Sequence, residues 1–253
     1  MTRLWHPKVS WILLVSLVAC PGALATAQNA VKTPAAKNVV EKTTTPVPRS
    51  GWWQKRQEQI NANVGKGDAQ LLMIGDSITQ DWEGKGREVW DKYYGKRHAV
   101  NLGIGGDQTQ HVLWRLEHGN LDGIHPKLAV LMIGTNNSAS NTPEQIAAGI
   151  RAIVEKLRST LPKTKVLVLA IFPRGPNPEH SLRKVNEAVN ERIAKLADGK
   201  DVIYLDIGKK FLKEDGTLSK DIMYDRLHLT PAGYEIWASS IEPSVVRLMA
   251  EKE

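Results

Sequence analysis

Leu71-Leu-Met-Ile-Gly-Asp-Ser-Ile78 is the stretch on which the reading of this chain turns. Four apolar residues run into Gly75-Asp76-Ser77 and then into polar sequence, the pattern of a short buried strand closed by a tight turn. Such a turn leaves Ser77 at the carboxyl end of a strand, where open α/β sheets hold their ligands. A serine there has two uses. As a helix cap, the commoner use, it accepts a hydrogen bond from an N–H two or three residues on. As a nucleophile it needs a base, a group to orient the base, and donors for an oxyanion. The turn alone favours the cap, so the decision rests on what the rest of the chain supplies.

Working outward, apolar runs at Ala99–Leu102, Leu128–Ile133, Val166–Phe172 and Val202–Leu205 read as four further strands. Helical patterns separate them. Thr142-Pro143-Glu144-Gln145 is a capping box with proline at the first helical position, and Ile146, Ile150, Ile153, Val154 and Leu157 follow on one face. A second pattern runs from about Pro178 with Leu182, Val185, Val189, Ile193 and Leu196. A third starts at Thr230-Pro231 and carries Tyr234, Trp237 and Ile241, with Pro243 expected to kink or restart it. Five strands separated by helices predict an α/β domain, a central parallel sheet covered on both faces.

The 253 residues suffice for one such domain plus a leader. Residues 1–27 read as an export signal: Arg3, His6 and Lys8, then the apolar run Trp11–Ala19, too short to span a bilayer, then Ala25-Thr26-Ala27 as a small-x-small cleavage site. A rival reading takes Leu17-Val18-Ala19-Cys20 as a lipobox, which makes Cys20 a lipid anchor. Either way the product is exported: periplasmic or secreted in the first case, a membrane-anchored lipoprotein in the second. Residues 28–50, rich in Lys, Thr, Pro and Ala, read as a disordered spacer. The catalytic domain is expected over 51–253, with Trp52 and Trp53 marking where packing begins. Most of the net charge of +7 comes from the leader and spacer, so the domain is nearly balanced. With no basic stripe, no nucleic-acid partner is expected. Cys20 is the only cysteine, so the domain has neither a disulfide nor thiolate chemistry.

Four blocks remain that packing does not explain, each just past a strand or before a helix. The first is Gly75-Asp76-Ser77. In Gly103-Ile-Gly-Gly-Asp-Gln108, adjacent glycines let backbone N–H groups approach a ligand, although an ordinary turn capped by Asp107 has the same composition. In Gly134-Thr135-Asn136-Asn137, Asn136 can donate its amide to an oxyanion or simply occupy a turn. In Asp225-Arg-Leu-His228, the aspartate can reach Nδ1 of the histidine and fix its tautomer, as base and orienting acid require, or the pair can be surface residues.

Taken together and in this order, the blocks resemble the SGNH (GDSL-type) hydrolase family. The stretch Asn101–Leu116, with Gly134-Thr-Asn-Asn137, Pro173-Arg-Gly175 and Met223-Tyr-Asp-Arg-Leu-His-Leu-Thr230, is most similar to its intracellular platelet-activating-factor acetylhydrolase branch, over roughly residues 51–250. The resemblance implies a three-layer α/β/α, flavodoxin-like domain with a central parallel five-stranded sheet. It implies Ser77 as nucleophile, His228 as base and Asp225 as orienting acid. The oxyanion hole would comprise the Ser77 and Gly106 N–H groups and the Asn136 amide, and Ile78, Thr135 and Leu227 would crowd a short acyl pocket. Many family members carry aspartate where Asn137 stands; this branch has asparagine. The branch also implies a homodimer.

The resulting expectation is a serine esterase of short-chain, acetyl-type esters, with no metal and no organic cofactor. Export points to an acetylated carbohydrate or a small-molecule ester as substrate. Acetylated phospholipids or lysophospholipids are the alternative, with Arg174 at the rim meeting an anionic group unless it is only a solvated loop arginine. An acyltransferase and a non-catalytic carbohydrate-binding relative also stay open.

Overall fold

The computed structural model describes residues 42–250. The proposed leader, its Cys20 and tail residues 28–41 lie outside the described residues. The five apolar runs form β1 (Leu71–Gly75), β2 (Ala99–Gly103), β3 (Leu128–Met132), β4 (Lys165–Leu169) and β5 (Val202–Leu205). They pair in the order β2-β1-β3-β4-β5, every pair parallel. The helices are α1 (Trp52–Val64), α2 (Ser77–Gln80), α3 (Arg87–Tyr93), α4 (Thr109–Leu116), α5 (Pro143–Thr160), α6 (Ser181–Ile193) and α7 (Pro231–Ala250).

Strand side chains alternate between two cores. Leu72, Ile74, Ala129, Leu131, Val166 and Val168 pack with α1, α4, α5 and α6 on one face. Leu71, Met73, Leu128, Val130, Met132, Leu167 and Leu169 pack with α3 and α7 on the other. Each large apolar side chain so buried contributes about 1.5–3 kcal/mol, and a slip of one residue would exchange the two faces. This is the expected three-layer flavodoxin-like domain.

In α5, Thr142 Oγ1 accepts from Gln145 N–H at 3.4 Å and Gln145 Oε1 accepts from Thr142 N–H at 2.8 Å, and the predicted apolar stripe is buried. Three expectations are corrected. Helix α7 continues through Pro243, because Trp237, Ala238 and Ile241 before it and Val245 and Leu248 after it are buried in one core, which offsets the lost backbone bond. Helix α6 starts at Ser181, and its buried face includes Arg183 and Asn186, with Leu182 and Val185 only half-buried. Residues 42–50 are docked against the domain. Thr43 is fully buried; its hydroxyl donates to Gln145 O at 2.7 Å, and its carbonyl accepts from Thr109 Oγ1 at 2.9 Å. Val47 N–H donates to Gln110 O at 3.2 Å. Apolar content misjudges this stretch because polar bonds hold it. Gly149 leaves the room, since a Cβ there would lie 2.8 Å from Thr43 O.

Candidate active site

Strand order reverses between β1 and β3, and the crevice at their carboxyl ends is where such sheets bind ligands. All four blocks converge there. Gly75 ends β1 so tightly that a Cβ would stand 2.1 Å from Thr79 Oγ1 and 2.5 Å from Met132 O. Asp76 then caps α2, its Oδ1 accepting from Ile78 N–H at 3.0 Å. The cap is therefore the aspartate, and Ser77, one residue on, keeps its hydroxyl for another partner. That partner is His228: Ser77 Oγ lies 2.9 Å from Nε2, across 151 residues of sequence.

The other face of the imidazole meets Asp225, with Oδ2 2.7 Å from Nδ1. Asp225 Oδ1 also accepts from the N–H groups of Leu227 at 3.0 Å and His228 at 2.7 Å. Arg226 makes this turn possible by adopting φ +62°, a left-handed conformation that is strained for arginine. Partial burial works against the Asp225 charge, but the bonds from the His228 side chain and backbone outweigh it and hold the carboxyl below its usual range. With the Nδ1 proton held toward Asp225, Nε2 is an acceptor aimed at the serine hydroxyl. Asp76 differs: complete burial pushes its carboxyl up to about 7, and its Oδ2 has no hydrogen-bond partner among the described residues.

The glycine loop after β2 forms the next wall. Gly106 has φ +74°, which suits glycine. Asn136 Nδ2 donates to Asp107 O at 2.9 Å, and Gln108 Nε2 donates back to Asn136 O at 2.9 Å, so the second and third blocks are laced together. Asp107 is not a surface cap. It is fully buried, and its carboxylate accepts from Trp53 Nε1 at 2.7 Å and Arg115 Nε at 2.8 Å. Asn137 is structural: its Oδ1 takes the Thr109 N–H at 3.1 Å and its amide reaches Asn141 at 3.1 Å.

An open cleft of about 440 Å³ lies beside Ser77 and His228, lined also by Gln80, Asp81, Glu83, Gly84, Lys85 and Tyr224. The ammonium of Lys85 sits 4.7 Å over the Tyr224 ring. A larger hollow of about 690 Å³, around Arg56, Trp90 and Asn101, contains none of the Ser77, His228 and Asp225 side chains. Ile78, Thr135 and Leu227 do not line the open cleft. Ile78 and Thr135 are buried and Leu227 packs half-buried against the α7-side core. Arg174 is no free loop arginine. It is half-buried, and its Nη1 donates to Thr135 O at 3.0 Å and Thr135 Oγ1 at 3.2 Å. Arg183, unmarked in the sequence reading, pins the loop after β4 through the carbonyls of Arg174 at 2.8 Å, Gly175 at 2.6 Å and Gly216 at 2.7 Å. Its sequence signal is an arginine one residue off an apolar helical stripe. Among the described residues no cluster of three or more His, Cys, Asp or Glu is placed to hold a metal.

A flavodoxin-like sheet with a hydrogen-bonded Ser–His–Asp chain at its switch point is the architecture of an ester hydrolase. The chain belongs to the GDSL-like lipase/acylhydrolase family, whose profile matches residues 73–236. It is 39% identical over 208 residues to platelet-activating factor acetylhydrolase IB subunit alpha1 of Rattus norvegicus, covering 82% of this chain and 88% of that one. Its fold matches the crystal structure of a GDSL-like lipase from Bacteroides thetaiotaomicron (TM-score 0.62, 21% identity, 76% of this chain and 97% of that one). It also matches a carbohydrate acetylesterase from Sinorhizobium meliloti (TM-score 0.56, 20% identity, 71% and 99%). The chain is thus an enzyme of the GDSL/SGNH esterase class.

Proposed function

We propose that this enzyme is an exported serine esterase that removes short acyl groups, acetyl above all, from carbohydrate esters. The observation that carries the mechanism is the unbroken chain Ser77 Oγ–His228–Asp225, with links of 2.9 and 2.7 Å. His228 takes the proton of Ser77 as Oγ attacks the ester carbonyl, and Asp225 holds the imidazole and stabilises its charged form. The tetrahedral oxyanion is met by the Ser77 and Gly106 N–H groups, neither of which has a protein partner among the described residues, and by the Asn136 amide. His228 then protonates the departing alcohol, and water, activated by the same imidazole, releases the acid.

The cleft supports the sugar side of the reading. Six of its eight lining residues are polar or charged, which suits a hydroxyl-rich alcohol better than an alkyl chain. Tyr224 (42% exposed) lines the cleft, and Trp52 (55% exposed) borders the glycine loop, its ring 3.4 Å from where a Gly105 Cβ would stand. Such exposed rings offer apolar surface to a sugar. The short acyl side rests on the family resemblance, which sets Ile78, Thr135 and Leu227 next to Ser77, Asn136 and His228 in the chain. Export rests on residues 1–27, read from sequence. An acetylated phospholipid is the second reading, favoured by the name of the 39%-identical relative.

The test is hydrolysis of p-nitrophenyl esters from acetyl to dodecanoyl, followed by acetate release from acetylated xylan and from an acetylated lysophospholipid. Turnover concentrated at acetyl and release from the glycan support the proposal. Turnover rising beyond butyryl sinks the short-acyl pocket, and release from the phospholipid alone replaces the carbohydrate.

A further inference from the structure

Arg49 comes from the stretch that the sequence assigned to a spacer, yet its guanidinium reaches the loop that carries Gly106. Its Nη1 donates to Gly105 O at 2.7 Å and lies 3.3 Å from Asp107 Oδ1. The guanidinium carbon sits 5.7 Å from the Trp52 ring centroid, and the side chain is 30% exposed. A Cβ built on Gly106 would stand 3.2 Å from Nη1 and 3.3 Å from Nη2, so the group lies flat against this glycine.

A trans peptide is a rigid plane with its C=O and the next N–H pointing in opposite directions. The carbonyl that Arg49 holds and the N–H of Gly106 belong to one such plane. Fixing Gly105 O toward the guanidinium therefore fixes the Gly106 N–H in the opposite direction, and a charge-assisted bond at the oxygen strengthens the donor at the nitrogen. The preceding peptide is held as well, because Gly105 N–H donates to Gln80 Oε1 at 2.7 Å. The turn is closed by Asp107 N–H donating to Ile104 O at 3.2 Å, but without these two side chains the Gly105–Gly106 peptide at its centre, with φ +74° at its second residue, could flip within the turn. The segment that brings Arg49 is itself anchored, through Thr43 to α4 and α5 and through Val47 to Gln110.

We propose that Arg49 is a positioning residue of the oxyanion hole, orienting and polarising the Gly105–Gly106 peptide from the docked segment ahead of α1. The inference rests on the oxyanion role assigned to Gly106 under the proposed function. The residue acts through the donor and touches no reacting atom, so its loss appears in kcat and not in KM.

The experiment uses the full chain with p-nitrophenyl acetate. Wild type, Arg49→Ala, Arg49→Lys and Asn136→Ala are compared for kcat, KM and melting temperature, with guanidinium ion at low millimolar concentration added to the alanine variant. Losing an oxyanion donor lowers kcat by about 10²–10³-fold. Misorienting one should lower it by about 10–100-fold, with KM changed by less than about twofold. Arg49→Lys retains a cation for the carbonyl and should recover most of the loss, as should guanidinium ion. The inference is overturned if Arg49→Ala keeps wild-type kcat, or raises KM alone. It is also overturned if guanidinium ion restores nothing and Arg49→Lys is as slow as the alanine variant. If Asn136→Ala is also unimpaired, the oxyanion reading itself fails; if only Arg49→Ala is unimpaired, that reading stands and this inference falls.

Discussion

Asp225 and Asp107 belong to two of the blocks gathered around the site, and each has different partners and different surroundings. The Asp225 side chain is 43% exposed and spends one oxygen on a histidine ring and the other on two N–H groups of its own turn. The Asp107 side chain is fully buried, and its partners are the Trp53 indole, the buried Arg115 and the part-exposed Arg49. The His228 side chain beside it is 25% exposed, so this pair borders solvent. The ion pair of Asp107 with Arg115 is closed off from solvent and fixes backbone, since the carbonyl of Asp107 takes the Asn136 amide and Gly106 precedes it. Under the proposed function, the first carboxylate serves a moving proton and the second a static donor array.

Substitutions can break this division. His228→Ala should lower kcat by about 10⁴-fold or more while leaving melting temperature nearly unchanged, since the ring is held by polar bonds at a partly exposed site. Asp107→Asn should do the reverse: it leaves Arg115 buried beside a neutral amide, which costs about 3–5 kcal/mol of stability, measured by urea unfolding. A collapse of stability in the first variant, or none in the second, would erase the distinction. Asp225→Asn should reduce kcat by about 10²–10⁴-fold with stability little changed, because the asparagine favours the wrong imidazole tautomer.

How legible these two carboxylates were differs for the same reason. Asp225 and His228 lie three residues apart, so spacing alone brings them within reach. Ser77 and His228 lie 151 residues apart, and only the ordered set of blocks joined them. The central strands β1 and β3 read clearly because burial on both faces makes them continuously apolar. Asp107 read as a turn residue, since nothing local announces a partner eight residues on. Arg115, on the buried stripe of Val112, Leu113 and Leu116, was the available signal. Arg49 gave none: its partners are the Gly105 carbonyl, 56 residues away, and the Asp107 carboxylate, and its place in the Thr- and Pro-rich stretch suggested a spacer. Asp76 belongs to the nucleophile turn, and it, not the serine, caps α2, which leaves the Ser77 hydroxyl to His228.

The remaining expected effect comes from that third carboxylate. The unfolded Asp76 releases its proton near 3.8, whereas the buried one holds it to about 7. Between these values the folded state binds the extra proton, so the contribution of Asp76 is fully present below about pH 4 and is lost as pH rises to about 7. Asp76→Asn keeps an oxygen for the Ile78 N–H and removes the charge. Its melting temperature relative to wild type should therefore rise steadily from pH 4 to pH 7 and level off above. A difference that stays flat across that range would contradict the protonated state of the buried carboxyl.

The central claim is that Ser77 attacks the ester with His228 as its base. Intact-protein mass spectrometry after treatment with an alkyl fluorophosphonate reads that step alone, with no assumption about the natural alcohol. The account predicts one adduct per chain, mapped to Ser77, formed rapidly in wild type, absent in Ser77→Ala and strongly slowed in His228→Ala. No adduct in a chain that hydrolyses p-nitrophenyl acetate, or an adduct at another residue, would contradict it.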